Sequence, residues 1–336
     1  MPMIETVSGL VDGDDLGYTL PHEHVFINMT RTVPQTGLVN VWSEVEADLA
    51  AYVAAGGRTL IDLTSSELSE YSAPLFRGDD DADQVADPRT RSRSAANARA
   101  VRDLAAAVGL TVILGTGHYH QAYLDTDWFD RTSTSRLADY LIADLVDRIP
   151  GTDIRAGVIG EIAADLPYVT AAEERSFRAA ARASIETGSL ISTHAPTFPV
   201  GLAELEILRS EGVDPSRIVI GHADTVKHLD YSLEVLRQGA WVQYDCLMTC
   251  KSGGVLIRPE IDRRLSFLRA LIEKGYGERI LLSHDACARS HLAAHGGTGR
   301  SFLPADFPAL ARTAGIEEHW LQAFFVDNPR RALLGR

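Results

Sequence analysis

Short apolar runs rich in β-branched residues alternate along the chain with longer segments whose apolar residues recur every three or four positions. A strand places successive side chains on opposite faces, whereas a helix brings positions i, i+3 and i+4 onto one face. The pattern therefore predicts eight strands, at residues 18–26, 58–64, 111–117, 155–163, 190–195, 217–223, 241–245 and 279–285. It predicts helices between them at residues 43–57, 95–109, 133–149, 170–188, 201–212 and 258–275.

Strands that alternate with helices form parallel βαβ units, which places the chain in the α/β class. Eight such units fit a closed (β/α)8 barrel, the TIM-barrel fold, better than an open doubly wound sheet. A dinucleotide-binding loop is not indicated, because Gly115-Thr116-Gly117 is followed by His-Tyr-His and lacks the third glycine. We therefore predict a single barrel domain over residues 1–336, with an irregular insertion at about residues 65–93 after the second strand.

Composition narrows the class of partner. The chain has 46 acidic and 32 basic residues and a formal net charge of −14, which disfavours binding to nucleic acid. No apolar stretch approaches the roughly 18 residues of a membrane span, and the first residues do not resemble a secretion signal. Cys246, Cys250 and Cys287 are expected to be ordinary thiols in a reducing compartment. We expect a cytoplasmic protein that acts on a small molecule, without membrane or nucleic-acid partners.

Ionisable residues collect at the predicted carboxyl ends of the strands, which form one mouth of a (β/α)8 barrel. His22 and His24 are two positions apart, so their side chains point to the same face of a strand. A single histidine at a strand end is more often a hydrogen-bonded interior residue than a metal ligand. Several imidazole and carboxylate groups that converge on one rim would be costly to bury without a cation. A metal site is therefore predicted from the set His22, His24, Glu161, His194, His222 and Asp285.

The chain resembles the phosphotriesterase-related family of the amidohydrolase superfamily in motifs that run from about residue 6 to 334: LPHEH, VIGEIA, ISTHA, VIGHADT, GAWVQYD, LLSHDAC and VDNPRRAL. The resemblance implies an amidohydrolase-like barrel with two divalent metal ions. It implies that the more buried ion is bound by His22, His24 and Asp285. It further implies that His194 and His222 bind the more exposed ion and that Glu161 bridges the two.

The residue at the bridging position distinguishes branches of this family. Many members use a carboxylated lysine there, but neither Lys227, Lys251 nor Lys274 lies at the end of the fourth strand. The chain is thus most similar to the glutamate-bridged branch, the phosphotriesterase homology proteins. The implied reaction is attack by a metal-bridging hydroxide on a small ester, amide or phosphoester, with Asp285 as proton acceptor. Zn2+ is the expected ion for histidine-rich ligation, and Mn2+ or Co2+ also fit.

Three residues are candidates for contact with substrate. Tyr119 matches a family tyrosine that lies over the substrate, although packing at the rim explains it equally well. Lys251 and Arg289 fall in the loops after the seventh and eighth strands. Either side chain could pair with a carboxylate or sulfonate of the substrate, and solvated rim charges are the alternative.

Other residues near the mouth are not expected to touch substrate. His118 and His120 are expected to be solvent-facing loop residues. His284 should point away from the barrel interior, because it precedes Asp285 on the same strand. Asp224, close behind the sixth strand, is a candidate for orienting a ligand or relaying a proton.

Two departures from the family pattern bear on the substrate and on the insertion. Cys246 follows Asp245 where the lactonase branch has an arginine, which counts against lactones. The segment 65–93 is longer than the usual family connection and is a candidate lid. Its acidic run at Asp79, Asp80, Asp81 and Asp83 is more typical of a solvated loop than of a calcium site.

Two other functions remain open at this stage. The first is a mononuclear metal-dependent lyase or aldolase on the same barrel, which would need one ion. The second is a non-catalytic binding protein in which a metal stabilises the fold, although such a site is usually closed by four protein ligands. The resemblance also suggests a homodimer.

Overall fold

The computed structural model describes residues 3–74, 91–247, 251–252, 255–256 and 258–335. Within these residues eight parallel strands form one sheet, and their order in the sheet is their order in the sequence. They are β1 (Thr19–Glu23), β2 (Thr59–Asp62), β3 (Thr111–Thr116), β4 (Val158–Ala163), β5 (Ile191–His194), β6 (Ile218–Ile220), β7 (Trp241–Tyr244) and β8 (Ile280–Leu282). All eight predicted strands are confirmed, with shorter bounds.

The first and last strands approach each other, so that the sheet nearly closes into a barrel. The backbone oxygen of His22 on β1 accepts hydrogen bonds from Ser283 Oγ at 2.7 Å and from the backbone N–H of Asp285 at 3.2 Å. Ser283 and Asp285 directly follow β8. The predicted (β/α)8 class is therefore confirmed, and the closure lies next to two predicted metal ligands.

Helices cover the outside of the sheet. Those between the strands are α1 (Trp42–Ala54), α2 (Ala95–Val108), α3 (Thr134–Val146), α4 (Ala171–Thr187), α5 (Gly201–Ser210), α6 (Leu229–Arg237) and α7 (Arg258–Glu273). Helix α6 is absent from the predicted set. Its buried residues Tyr231, Ser232, Val235 and Leu236 do recur at helical spacing, over a helix of nine residues that lies at the short end of the usual range.

Shorter elements complete the chain. Further helices are Ser66–Ser69, Thr126–Arg131, Phe302–Ala305, Phe307–Thr313, Glu318–Gln322 and Asn328–Leu334, with a π-helical turn at Ala323–Asp327. Antiparallel pairs join Met3–Thr6 to Gly9–Asp12, Ile27–Asn28 to Leu38–Val39, and Lys251–Ser252 to Val255–Leu256. No helix among the described residues has the length and apolar character needed to cross a membrane.

The alternation of side chains along the strands separates two apolar layers. On β3, Val112 and Leu114 pack in the large core between sheet and helices, whereas Ile113 belongs to a second cluster inside the barrel. Ile4 and Ala332 join that inner cluster from the chain's two ends. Apolar side chains thus fill the amino end of the barrel, which leaves the carboxyl end for ionisable groups.

The insertion after β2 is described at both of its ends. Its residues 75–90, which include the acidic run Asp79–Asp83, lie outside the described part of the chain. Arg93, fully buried, contacts Asp62 Oδ2 at 2.8 Å, donates to the backbone oxygen of Thr64 at 3.1 Å, and bonds Asn97 Oδ1 at 2.8 Å. The returning end of the insertion is therefore anchored on the carboxyl end of β2.

Candidate metal centre

The structure brings all six predicted ligands together at the carboxyl end of the barrel. They come from β1, β4 and β5 and from the residues just past β1, β6 and β8. His222 and Asp285 adopt left-handed backbone conformations, with φ of 53° and 54°. Residues with a side chain rarely adopt this conformation, and such strain concentrates at functional sites. Here it turns each side chain toward the barrel axis immediately after its strand.

Glu161 lies at the centre of the group. Its Oε1 is 3.5 Å from His24 Nε2, while its Oε2 is 3.2 Å from His22 Nε2, 3.0 Å from His194 Nδ1 and 3.6 Å from His222 Nε2. One carboxylate thus faces the histidines of both predicted metal positions. The prediction that Glu161 occupies a bridging place agrees with this arrangement.

The donor atoms fit divalent cations. Potential ligand atoms of His22, His24 and Asp285 all lie within 4.8 Å of one another, and so do those of His22, Glu161 and His222. His194 Nδ1 and His222 Nε2 are only 2.7 Å apart, so the two nitrogens are directed at the same point. Imidazole nitrogen and carboxylate oxygen are the donors that Zn2+ and neighbouring divalent ions accept.

The charges of the site favour cations of any kind. Burial lowers the pKa of His22, but the carboxylates of Asp245 and Glu161 outweigh it and raise that pKa to about 10. Burial likewise raises the pKa of Glu161, yet the imidazoles of His194 and His22 hold it well below its usual range. Metal ions and protons therefore compete for the same nitrogens, and affinity for metal should rise with pH.

Asp245, at the end of β7, is a functional residue that the sequence reasoning missed. Its Oδ1 is 2.7 Å from His222 Nδ1, and its Oδ2 is 3.0 Å from His22 Nδ1. It is fully buried. A carboxylate at the outer nitrogen of a ligand histidine fixes the ring orientation. The available signal was its position at the end of a strand within the motif GAWVQYD.

The other two ligand histidines also have partners at their outer nitrogens. His24 Nδ1 is 3.0 Å from Thr64 Oγ1, just past β2. His194 Nε2 is 3.9 Å from Asp165 Oδ1, and the hydroxyl of Tyr119 is 3.3 Å from both ring nitrogens of His194. The structure therefore places Tyr119 against a predicted metal ligand at the mouth, where the sequence analysis expected it.

The expectation that His118 and His120 face solvent is wrong. His118 is buried, with its Nδ1 2.8 Å from Glu67 Oε1, and the backbone N–H of Tyr119 donates to Glu67 Oε2 at 2.9 Å. His120 is buried as well and packs against His194, with ring centroids 6.2 Å apart. The reason is Glu67, which stands on a short helix in what the sequence presented as an irregular insertion.

The two predicted cationic substrate contacts lie in different surroundings. Arg289 Nη2 is 2.9 Å from Glu44 Oε1, and its side chain is 39% exposed. Its guanidinium is thus already paired with a carboxylate of α1. Lys251 begins a two-residue strand after β7, and its side chain falls outside the described part of the structure.

Asp224 holds the end of β7 in place. Its Oδ2 is 2.6 Å from Arg264 Nε, and its Oδ1 accepts hydrogen bonds from the backbone N–H groups of Asp245 at 3.3 Å and Cys246 at 3.5 Å. Both carboxylate oxygens are therefore engaged within the protein. Of the two roles considered for Asp224, the geometry favours orientation, through the backbone of Asp245.

His284 points away from the metal ligands, as its place in the strand predicts. Its Nδ1 is 3.0 Å from Glu23 Oε1, and its Nε2 accepts a hydrogen bond from the backbone N–H of Leu303 at 3.3 Å. It is buried at the joint between β1 and β8. Its role is therefore to support the strand that carries His22 and His24.

Two free thiols adjoin the site. Cys246 Sγ is 3.7 Å from His222 Nδ1, and Cys287 Sγ is 3.7 Å from Asp285 Oδ2. Burial raises the pKa of both thiols. They are therefore neutral at physiological pH, with Cys287 a weak donor to Asp285 Oδ2 and Cys246 a weak donor to Asp245 Oδ1 at 3.8 Å.

Comparison with known proteins identifies the family. A sequence profile described as the phosphotriesterase family matches residues 2–77 and 82–333. The chain belongs to the phosphotriesterase family. A phosphotriesterase homology protein from Mycobacterium tuberculosis is 30% identical over 355 residues, covering 98% of this chain and 97% of that protein.

Two further proteins are also similar to the chain. An N-acetyltaurine hydrolase from Dictyostelium discoideum is 25% identical over 371 residues, covering 98% and 97% of the two chains. The crystal structure of a phosphotriesterase homology protein from Escherichia coli, complexed with phosphate in its active site, superposes with a TM-score of 0.80 at 27% identity. It covers 95% of this chain and 99% of that one. The chain is accordingly a metal-dependent hydrolase of this family.

Proposed function

We propose that the chain binds two divalent metal ions, with Zn2+ the preferred ion, and hydrolyses a small ester, amide or phosphoester. The observation that carries the proposal is the position of Glu161. Its Oε1 faces His24, and its Oε2 faces His22 as well as His194 and His222, at 3.0–3.6 Å, so the one carboxylate contacts ligands of both predicted positions. A single ion would need only one of these sets.

Each half of the site has its own ligands. His22, His24 and Asp285 would hold the more buried ion, and His194 and His222 the more exposed one. Glu161 would bind both, and it needs no carbon dioxide to become a carboxylate. When bound, such a pair of ions polarises a C=O or P=O group and lowers the pKa of an attacking water toward neutrality.

Asp285 is the residue best placed to move the proton. Its Oδ1 faces the ligand cluster, 3.2 Å from His24 Nε2, while its Oδ2 lies 3.7 Å from the weak donor Cys287 Sγ. Burial raises the pKa of Asp285, but the hydrogen bond with His24 and the charges of His222 and His22 lower it below its usual range. Asp285 is therefore ionised at neutral pH. It can accept the proton of the attacking water and pass it to the leaving group.

The relatives and the residues at the mouth suggest which substrates to test. An N-acetyltaurine hydrolase is an amide hydrolase by name, and a related active site holds phosphate. We extend both chemistries to this chain: an N-acyl amide, ester or phosphoester with an acidic group. Tyr119 would contact the substrate beside His194. Arg289 or Lys251 would pair with the acidic group, and Arg289 would then exchange its contact with Glu44 for the substrate.

The test combines metal analysis with a substrate screen. Protein purified without chelator, and protein reconstituted with Zn2+, Mn2+ or Co2+, should bind two equivalents of metal and hydrolyse at least one of four substrate groups. These are p-nitrophenyl esters, N-acyl amino acids and N-acetyltaurine, phosphoesters, and lactones, with lactones the poorest. Binding fixed at one equivalent would contradict the binuclear site. Two equivalents with no hydrolysis in any group would contradict the substrate classes.

A further inference from the structure

We propose that Asp245 sets the tautomer of one ligand histidine in each half of the metal centre, so that a single carboxylate makes both metal positions competent. The inference rests on the proposed two-metal function. Asp245 is a positioning residue, because it acts through His22 and His222 and does not itself face the substrate.

The contacts of Asp245 are divided between the two rings. Its Oδ1 forms a hydrogen bond with His222 Nδ1 at 2.7 Å, and its Oδ2 makes an ion-pair contact with His22 Nδ1 at 3.0 Å whose angles fall outside hydrogen-bond geometry. The ring centroids of His22 and His222 are 4.9 Å apart, and the carboxylate spans their outer edges. Its backbone is held by Asp224, which accepts the Asp245 N–H at 3.3 Å. The carboxylate therefore approaches both rings from a buried, fixed position.

Because a neutral imidazole carries one proton, this contact determines which ring nitrogen is free to bind metal. A neutral histidine carries one N–H, and a carboxylate beside Nδ1 keeps the proton there. The lone pair then resides on Nε2. In both His22 and His222 it is Nε2 that faces Glu161, at 3.2 and 3.6 Å. Because a carboxylate accepts at both oxygens, Asp245 can impose this tautomer on two histidines at once.

An asparagine at position 245 can accept a hydrogen bond from the Nδ1–H of only one of the two histidines, His22 or His222. Its amide has a single acceptor oxygen, and its NH2 group would meet the Nδ1–H of the other ring. In the wild type, Asp245 Oδ1 lies 2.7 Å from the ring nitrogen His222 Nδ1 and 3.8 Å from the Cys246 thiol. The backbone N–H of His222 donates to both carboxylate oxygens at 3.1 Å. Only His22 Nδ1 adds to the Oδ2 side. The amide oxygen should therefore face His222, and the NH2 group should face His22.

The consequence is a loss confined to one half of the site. Facing an NH2 group, His22 is driven to carry its proton on Nε2 and can no longer use that nitrogen as a ligand. Asp245→Asn should then lose the more buried ion, at His22, His24 and Asp285, and keep the ion at His194 and His222. Asp245→Ala removes the acceptor without adding a donor, so it should weaken both positions alike, by about 10–100-fold.

The experiment compares these two variants with the wild type. Metal equivalents are measured after dialysis against buffered Zn2+, and the retained ion is located by anomalous diffraction. We expect two equivalents for the wild type and one for Asp245→Asn, at the His194 position. Asp245→Ala should require more Zn2+ to fill both positions. Two equivalents in Asp245→Asn, or a loss that matches Asp245→Ala, would overturn the inference.

A second readout does not depend on the variants folding. In the zinc-loaded wild type labelled with 15N-histidine, long-range NMR correlations report which ring nitrogen carries the proton. His22 and His222 should show Nδ1–H, while His194, which directs Nδ1 at the site, should show Nε2–H. An Nε2–H tautomer at His22 or His222 would refute the role of Asp245. A wild type that binds one ion would instead refute the binuclear function, and the tautomers would still decide this inference.

Discussion

Arg300 Nε lies 3.2 Å from Glu23 Oε2, and neither side chain is exposed to solvent. The same guanidinium contacts Asp48 Oδ2 at 2.5 Å. Glu23 also accepts hydrogen bonds from Ser283 Oγ and from the backbone N–H of His284, both at 2.9 Å. Burial alone would raise the pKa of Glu23, but His284 and Arg300 lower it to about 2. Glu23 therefore joins β1 to the end of β8 through Ser283 and His284, and Arg300 joins Glu23 to Asp48 on α1.

Removing Arg300 should cost more stability than removing any surface arginine. Arg300→Met leaves the buried carboxylates of Glu23 and Asp48 without their cation, so we expect the free energy of unfolding to fall by about 3–5 kcal/mol in urea titrations. The control is Arg312→Met, because the pair Arg312–Glu318 is 55% and 72% exposed. That change should lower the free energy by at most about 1 kcal/mol. Similar losses in both variants would show that burial does not govern these pairs.

Replacing Glu161 should empty the metal centre, since its carboxylate faces ligands of both positions. Glu161→Gln is expected to bind less than one equivalent of metal and to lose hydrolytic activity. Glu204→Gln is the matched control, because Glu204 is a fully buried glutamate on α5 outside the predicted ligand set, and burial raises its pKa well above its usual range. The control should retain both ions.

The wild type provides a further test of the bridge. Since Glu161 is a carboxylate without modification, activity recovered after metal reconstitution should be the same with and without bicarbonate. A strong increase with bicarbonate would mean that a carboxylated residue bridges the ions instead.

Asp285→Asn tests proton transfer separately from metal binding. The amide keeps one ligating oxygen but not the basicity, so kcat should fall by about 10²–10⁴-fold while most of the metal remains. The acidic limb of the pH–rate profile should also change. Cys287→Ala is the control, because it removes the neighbour of Asp285 Oδ2 at 3.7 Å and leaves the carboxylate intact. His284→Asn is unsuitable, because that side chain holds Glu23.

Near-full activity of Asp285→Asn with both ions bound would exclude Asp285 as the proton acceptor. His120, buried beside His194 at the mouth, would then be the next residue to test.

Asp144 should make stability depend on pH. It is buried on α3, accepts a hydrogen bond from Thr116 Oγ1 at 2.6 Å, and has its pKa raised by burial from 3.8 to about 6. The folded state thus binds this proton more tightly than the unfolded chain. Stability from this group is therefore present below about pH 4 and lost as pH rises to about 6.

The measurement is the difference in free energy of unfolding between the wild type and Asp144→Asn, which cannot ionise. This difference should fall by roughly 2 kcal/mol between pH 4 and pH 7. Because both proteins release metal alike at low pH, metal binding cancels in the comparison. A difference that stays constant, or rises with pH, would contradict the raised pKa of Asp144.

The fold and the six candidate ligands could be predicted from the sequence for a physical reason. Hydrophobic periodicity is local, so runs such as 111–117 identify strands without knowledge of the fold. Parallel strands bring their carboxyl ends to one edge, so residues that follow different strands meet whatever the loops do. His22, Glu161 and Asp285 were therefore predictable as neighbours although more than a hundred residues separate each from the next.

Other relationships depended on the tertiary structure. Whether the Asp245 carboxylate lies beside His22 and His222, or Glu67 beside His118, depends on strand register and on how a short helix packs, which no local pattern encodes. The sequence by itself determined which side chains reach the mouth of the barrel. Only the packed structure decided which nitrogen or oxygen atom of each side chain faces its neighbour. Hydrogen bonds act over about 3 Å, whereas the strand pattern in the sequence places a side chain only to within a residue.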